Sequence, residues 1–373
     1  MKKSIPLVNL AKMHKSLKCE IDIELKKILD SNNFLGNKII NTMELNYAKK
    51  NNSKYCIGVS SGTSALALAL EASGVGAGDE VITTTNTFFS TYESIIHTGA
   101  KPVVIDVNSS DLNINSNLIE KKINKNTKAI VPVHIYGKPS EMNHIIKIAK
   151  KYNLQVIEDC AQSHFARYDS KYVGNFSSAA AFSFYPGKNI GGFGDSGCVI
   201  TNNKKIYKKI LSLRDHGRVS KYKHRYVGYN YRIDAIQAAI INLKLKYIDE
   251  WNENRRNLAN IYCENLLNIK NIDLLQYSNA NIENVFHLFV IVIRNKLQRN
   301  KLINYMKRRN INLGIHYPIP IHMQTPVKKI VNKQFPVMNS YKDKIVSLPL
   351  CPFTDLKDIK RVIYETEKFF RKI

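Results

Sequence analysis

Between residues 55 and 201 short apolar runs alternate with helix-like stretches, and this alternation constrains the fold more than any other feature of the chain. "YCIGV", "EVITTT", "PVVIDV", "AIVPVH", "LQVIED", "AAAFSF" and "GCVIT" read as strands. Between them lie helical patterns such as "SALALALEASG" and "SEMNHIIKIAKKYN", the latter with Met142, Ile145, Ile146 and Ala149 on one helical face. Strands with both faces covered read as continuous apolar runs, so the expected fold class is α/β, with a mostly parallel sheet sandwiched by helices. Ligands of such sheets gather at the carboxyl ends of the strands.

Beyond this region a long helical segment runs from about Ile233 through "IINLKLKYIDEWNENRRNLANIYCENL". A strand-like "NVFHLFVIVI", a basic helix "KLQRNKLINYMKRRN", the loop "GIHYPIPIHMQ" and a terminal helix from about Asp355 follow. The expected division is a large domain over 1–245, opened by a helical arm of some fifty residues, and a smaller α+β domain over 246–373. No apolar run is long enough to span a membrane, and the N-terminal segment, broken by Asn9, Lys12 and His14, does not read as a signal peptide. The six cysteines are far apart, which suggests neither a metal site nor a disulfide framework and points to the cytoplasm. The formal net charge of +26 is spread along the chain rather than gathered in a block, so it reads as composition and not as a nucleic-acid surface. It would still favour an anionic small substrate.

Three segments carry chemistry. In "GVSSGTSALALAL" a strand ends and Ser60, Ser61, Gly62, Thr63 and Ser64 lead into a helix, which suits either a phosphate seat or an ordinary capped helix start. Neither the dinucleotide glycine fingerprint nor the P-loop pattern is present. In "LQVIEDCAQSHFA" a strand ends in Glu158-Asp159, with Gln162 close behind. In "FSFYPGKNIGGFGDSG" a single lysine, Lys188, sits on a glycine-rich turn between apolar runs. An amine held in a partly desolvated place can attack a carbonyl to give an imine. An anion seat, a carboxylate and such an amine are together the partners that pyridoxal phosphate (PLP) requires.

These segments, with "VHIYGKP", "HGR", "VGYNYRIDAIQAA" and "GIHYPIPIH", resemble the DegT/DnrJ/EryC1/StrS family of sugar aminotransferases over essentially the whole chain. The resemblance implies the aspartate-aminotransferase type of fold, with a seven-stranded sheet, and a homodimer whose active sites lie at the subunit interface. It makes Lys188 the imine-forming, proton-carrying lysine and Asp159 the partner of the pyridine nitrogen. Gln162 would meet the ring hydroxyl, Gly62, Thr63 and Ser183 the phosphate, and Phe88 the face of the ring. Asn230 would reach the phosphate of the neighbouring subunit. Tyr185, Arg218, Tyr222, His316, Tyr317 and His322 would lie near the substrate, with Arg218 and Tyr222 crossing the interface or remaining solvated. The implied partners are L-glutamate and a nucleotide-linked keto-sugar, with no metal, nucleic acid or membrane.

The chain departs from the family pattern at Cys160, Phe165 and Ser196. Phe165 replaces a glycine, so an ordinary backbone conformation is expected there. His134 and His164 read as hydrogen-bonded structural histidines, and Trp251 as helix packing. "KNIGGFGDSG" resembles enzymes that aminate C-3, which implies a dTDP-linked 3-keto-6-deoxyhexose and an amino sugar for a surface glycan such as a lipopolysaccharide O-antigen. A C-4 enzyme, a UDP-linked substrate, a sugar dehydratase (whose members carry histidine at the position of Lys188) and a non-enzymatic regulator are the alternatives.

Overall fold

The computed structural model describes residues 3–275, 280–328 and 334–371. Its central sheet has the strands β1 (Tyr55–Val59), β2 (Glu80–Thr84), β3 (Lys101–Ile105), β4 (Thr127–Val131), β5 (Gln155–Asp159), β6 (Ala179–Ser183) and β7 (Gly197–Thr201). They are ordered β1-β7-β6-β5-β4-β2-β3, and β7 alone runs antiparallel to its neighbours. Each apolar run identified in the sequence supplies one of these strands.

Alternation along each strand feeds two cores. On one face Val81, Ala129, Val131, Ile157, Ala181 and Val199 pack in one cluster. From the other face Ile82, Ile130 and Val156 join Met142, Ile145 and Ala149 of a helix at Met142–Lys151, as its spacing predicts. Helices α1 (Leu10–Ser16), α2 (Lys18–Ser31) and α3 (Asn37–Lys50) form the N-terminal arm. Helix α4 (Gly62–Ala72) follows β1, and α5 (Phe89–His97) follows β2. Within the described residues no helix is long and apolar enough to cross a membrane.

The single long helix expected from Ile233 is in fact two, α6 (Ala235–Lys244) and α7 (Ile248–Leu266). At the break the N–H groups of Lys246 and Tyr247 bond only three residues back, to Leu243 and Lys244. Tightened turns of this kind end a helix without glycine or proline. Beyond α7, strands Ile272–Leu274, Phe289–Ile293 and Ile345–Leu348 form a small antiparallel sheet packed against helices Lys296–Lys307 and Leu356–Phe370. Ile5 joins this core and pairs with Ile311, so the first residues cross to the C-terminal region before the arm begins.

Candidate active site

A cavity of about 490 Å³ opens at the carboxyl ends of β5 and β6. Its lining brings together Gly62, Thr63, Phe88, Asp159, Gln162, Ser183, Tyr185, Lys188, His316 and Tyr317, drawn from segments far apart in the chain.

The anion seat is the start of α4. Ser61 caps it reciprocally: its Oγ accepts from Ser64 N–H at 3.0 Å, while Ser64 Oγ accepts from Ser61 N–H at 2.9 Å. Among the described residues the N–H groups of Gly62 and Thr63 have no partner within the protein and remain for an anion. Gly62 is required by close approach, because a Cβ there would lie 2.7 Å from Ser183 Cβ.

Asp159 is buried at the end of β5. Its Oδ2 accepts from Thr91 Oγ1 at 2.8 Å and its Oδ1 from Ala161 N–H at 3.1 Å. Thr91 stands in turn 2.6 Å from Thr87 Oγ1. Gln162 has its Oε1 occupied by Tyr136 N–H at 2.7 Å, so its Nε2 faces Tyr317 Oη at 2.9 Å. Tyr136 also donates its hydroxyl to the carbonyl of His316 at 2.6 Å, which ties the 316–317 loop to the sheet.

Lys188 sits on a turn closed by its own N–H to Tyr185 O at 2.9 Å. Burial pushes its amine down to about 8, with the Asp159 charge pulling the other way. Neutral amine is therefore accessible just above neutrality. His316 is lowered to about 4, first by burial and then by the Lys188 charge, and its Nδ1 lies 2.8 Å from Ser347 Oγ. A neutral imidazole results.

PLP fits this donor set. The free N–H groups at α4, with Thr63 and Ser183, suit its phosphate; the fixed carboxylate of Asp159 suits a protonated ring nitrogen; and Phe88, exposed by 58%, offers a ring face. Lys188 offers the amine.

Four of the anticipated residues lie elsewhere. Arg218 pairs with Asp215 at 3.5 Å, and Tyr222 projects from a surface hairpin with 83% exposure. Asn230 is exposed, its Oδ1 accepting from Arg232 Nε at 3.2 Å. His322 does not line the cavity and stands between Thr85 Oγ1 at 2.6 Å and Asn339 Oδ1 at 3.0 Å.

The two structural histidines stand as read. His134 is buried, accepts from Ser140 N–H at 2.9 Å and faces Glu158 Oε2 at 3.1 Å. His164 bridges Tyr47 Oη and the Ser183 carbonyl, each at 2.8 Å, and burial lowers it to about 3. Trp251 packs on Tyr247 and Phe353. The expectation for Phe165 fails: its φ is 62°, in the left-handed region that glycine favours. The side chain is buried against Tyr47 and Tyr172, and that packing offsets a strain of about 1 kcal/mol. Sequence reasoning also missed Thr91, Tyr136 and His287, which support or line the site. Thr91 closes the "NTFFST" segment that carries Phe88, Tyr136 lies inside the "VHIYGKP" motif, and no local pattern marks His287.

Comparison with known proteins gives consistent matches. The model of the DegT/DnrJ/EryC1/StrS aminotransferase family matches residues 15–367. A pleiotropic regulatory protein of Geobacillus stearothermophilus is 36% identical, over 99% of both chains. The dTDP-3-amino-3,6-dideoxy-alpha-D-galactopyranose transaminase of Aneurinibacillus thermoaerophilus is 37% identical, over 98% of this chain and 99% of its own. The crystal structure of Streptomyces venezuelae DesV, in complex with a ketimine intermediate, superposes with a TM-score of 0.96 at 33% identity, covering 100% of both chains.

Proposed function

Because the chain belongs to the DegT/DnrJ/EryC1/StrS family and is a PLP-dependent sugar aminotransferase, we propose that it moves an amino group from L-glutamate to C-3 of a dTDP-linked 3-keto-6-deoxyhexose. One arrangement carries this reading: the Lys188 amine, the Asp159 carboxylate and the unpaired N–H groups of α4 meet in one cavity. The C-3 preference draws on the similarity to the A. thermoaerophilus enzyme and on the "KNIGGFGDSG" segment. The regulator reading loses ground to a site in which a buried amine, a buried carboxylate and unpaired helix N–H groups line one cavity.

When bound, PLP supplies a carbonyl that condenses with amines and a ring that withdraws electrons. In this reading Gly62, Thr63 and Ser183 hold its phosphate, Phe88 covers the ring, Gln162 donates to the ring hydroxyl, and Asp159 keeps the ring nitrogen protonated. Lys188, depressed to about 8 by burial, supplies neutral Nζ for the condensation. Once freed by glutamate, Nζ would take the proton from the substrate carbon bearing the amino group and pass it to the cofactor carbon in the same half-reaction, and would carry a proton the opposite way in the second. Tyr185, His316 and Tyr317 border the space left for the sugar. Asn230, Arg218 and Tyr222 serve the site of a second subunit, and His322 backs the wall past which the nucleotide extends. We further divide the chain at 245/246, assign it to the cytoplasm and connect its product to a surface glycan such as an O-antigen.

The test supplies purified protein with PLP, L-glutamate and matched C-3 and C-4 keto-sugars linked to dTDP, and follows the amino sugar by mass spectrometry. Product from the C-3 ketone is expected, and turnover confined to the C-4 ketone would refute the assignment.

A further inference from the structure

Lys244 ends α6 with its side chain turned inward, and it is 0% exposed. Its Nζ donates to the carbonyl of Gly191 at 2.6 Å and lies 5.1 Å from the centre of the Phe193 ring. Burial alone pushes the amine down to about 8, with no carboxylate opposing it. A buried lysine without a counter-charge is rare, because the ammonium loses its hydration. The His14 ring, edge-on to Phe193, is held below its ordinary value by burial and then by this charge.

What Lys244 grips is the turn that carries Lys188. Gly191 is folded against the start of that turn: a Cβ there would lie 2.5 Å from Pro186 O. Gly192 N–H closes back to Phe184 O at 2.7 Å. Two neighbouring tethers come from the same pair of helices. Gln237 Oε1 of α6 accepts from Phe193 N–H at 2.7 Å, and Asn252 Oδ1 of α7 accepts from Asn189 Nδ2 at 2.9 Å. Residues 189, 191 and 193 are thus each held from behind, and Lys188 projects from the other side into the cavity.

We propose that Lys244 is a positioning residue for Lys188, fixing the Gly191 carbonyl so that the turn presents the Lys188 amine to the cofactor. The inference rests on reading Lys188 as the imine-forming amine. A methionine at 244 would fill nearly the same space and hold nothing, whereas a glutamine keeps a donor for the carbonyl.

The experiment titrates cofactor-free protein with PLP, fixes the adduct with borohydride and maps the labelled residue by mass spectrometry, alongside thermal melts without cofactor. In Lys244→Met, half-labelling of Lys188 should need about tenfold more PLP or beyond, as expected for loss of a charge-assisted hydrogen bond. Lys244→Gln should recover most of this, and turnover should fall with the sugar KM little changed. Labelling of Lys244→Met at the wild-type PLP concentration would overturn the inference. So would equal impairment of both variants in step with their melting temperatures, which would make Lys244 a packing residue. Should the methionine variant not fold, the glutamine variant decides: near-normal labelling supports the tether, and labelling lost in a protein that melts normally refutes it. A single residue still labelled in Lys188→Ala would overturn the reading of Lys188 and this inference with it, whereas the other outcomes overturn the inference alone.

Discussion

At the floor of the cavity Asp159, Gln162 and the Lys188 turn are each pinned by buried partners, some from the backbone and some from helices that never touch the cavity. Outside the cavity lining, in what serves here as the rim, the hairpin bearing Arg218 and Tyr222 and the nearby Asn230 stand in solvent, held by surface contacts. The floor already has its geometry in one chain. The rim has side chains of binding character held only by near neighbours such as Asp215 and Arg232. Groups pinned to a fixed geometry are built into the sheet ends, and the groups proposed to serve a second subunit stand on a surface element. Substitutions should therefore sort by region, with rate losses at the floor and affinity losses at the rim.

The largest loss is expected for Lys188→Ala, which removes the amine from a turn whose other tethers remain. Turnover should drop by about ten-thousandfold, and the protein should lose the visible absorbance it gains with PLP while keeping its melting temperature. Asp159→Asn should follow at about a hundredfold to a thousandfold in kcat, since the amide keeps the shape and loses the charge. Retention of normal kcat in either variant would break the contrast at its strongest point. Thr91→Val tests whether the support beneath the floor matters: it removes the 2.8 Å bond to Asp159 Oδ2. Loss of a bond to a charged acceptor predicts about a tenfold decrease in kcat with the sugar KM unchanged.

Thr91 also marks the limit of what the sequence discloses. The seven strands are legible because strands covered on both faces are written as apolar runs bounded by turn residues, and the reacting groups are legible because they recur as motifs around Lys188 and Asp159. Thr91 lies 68 residues from Asp159, so its bond to that carboxylate exists only after folding. The same holds for Lys244, which looks like an ordinary surface lysine at the end of an apolar helix until its amine is found on Gly191. The break at 245–247 carries no glycine or proline to announce it. Phe165 adopts a backbone that its residue type disfavours, because the aromatic packing around it outweighs local preference.

The floor should also make the protein sensitive to acid. His164 is sealed between Tyr47 and Ser183 and held to about 3, against an ordinary value of 6.5. Below pH 6.5 the unfolded chain takes a proton that the folded chain refuses, so stability falls with pH across that window. The slope is about 1.4 kcal/mol per pH unit from this one ring. Melting temperatures of the cofactor-free protein should decline between pH 6.5 and about 5, and less steeply in His164→Gln. Equal slopes would show that the ring is charged or solvated when folded.

The smallest effect is expected at His322. Both of its ring nitrogens are occupied, one by Thr85 Oγ1 and the other by Asn339 Oδ1, and its ring stacks on Phe335 at 4.2 Å. It can meet a ligand only where a nucleotide passes the outer wall, because it does not line the cavity. His322→Asn should thus leave kcat intact and raise the KM for the nucleotide-linked sugar by about threefold, the scale of one weakened polar contact. A large drop in kcat would move His322 from the rim to the floor. The boundary between the two regions would then run through Thr85 at the end of β2, and not along the cavity wall.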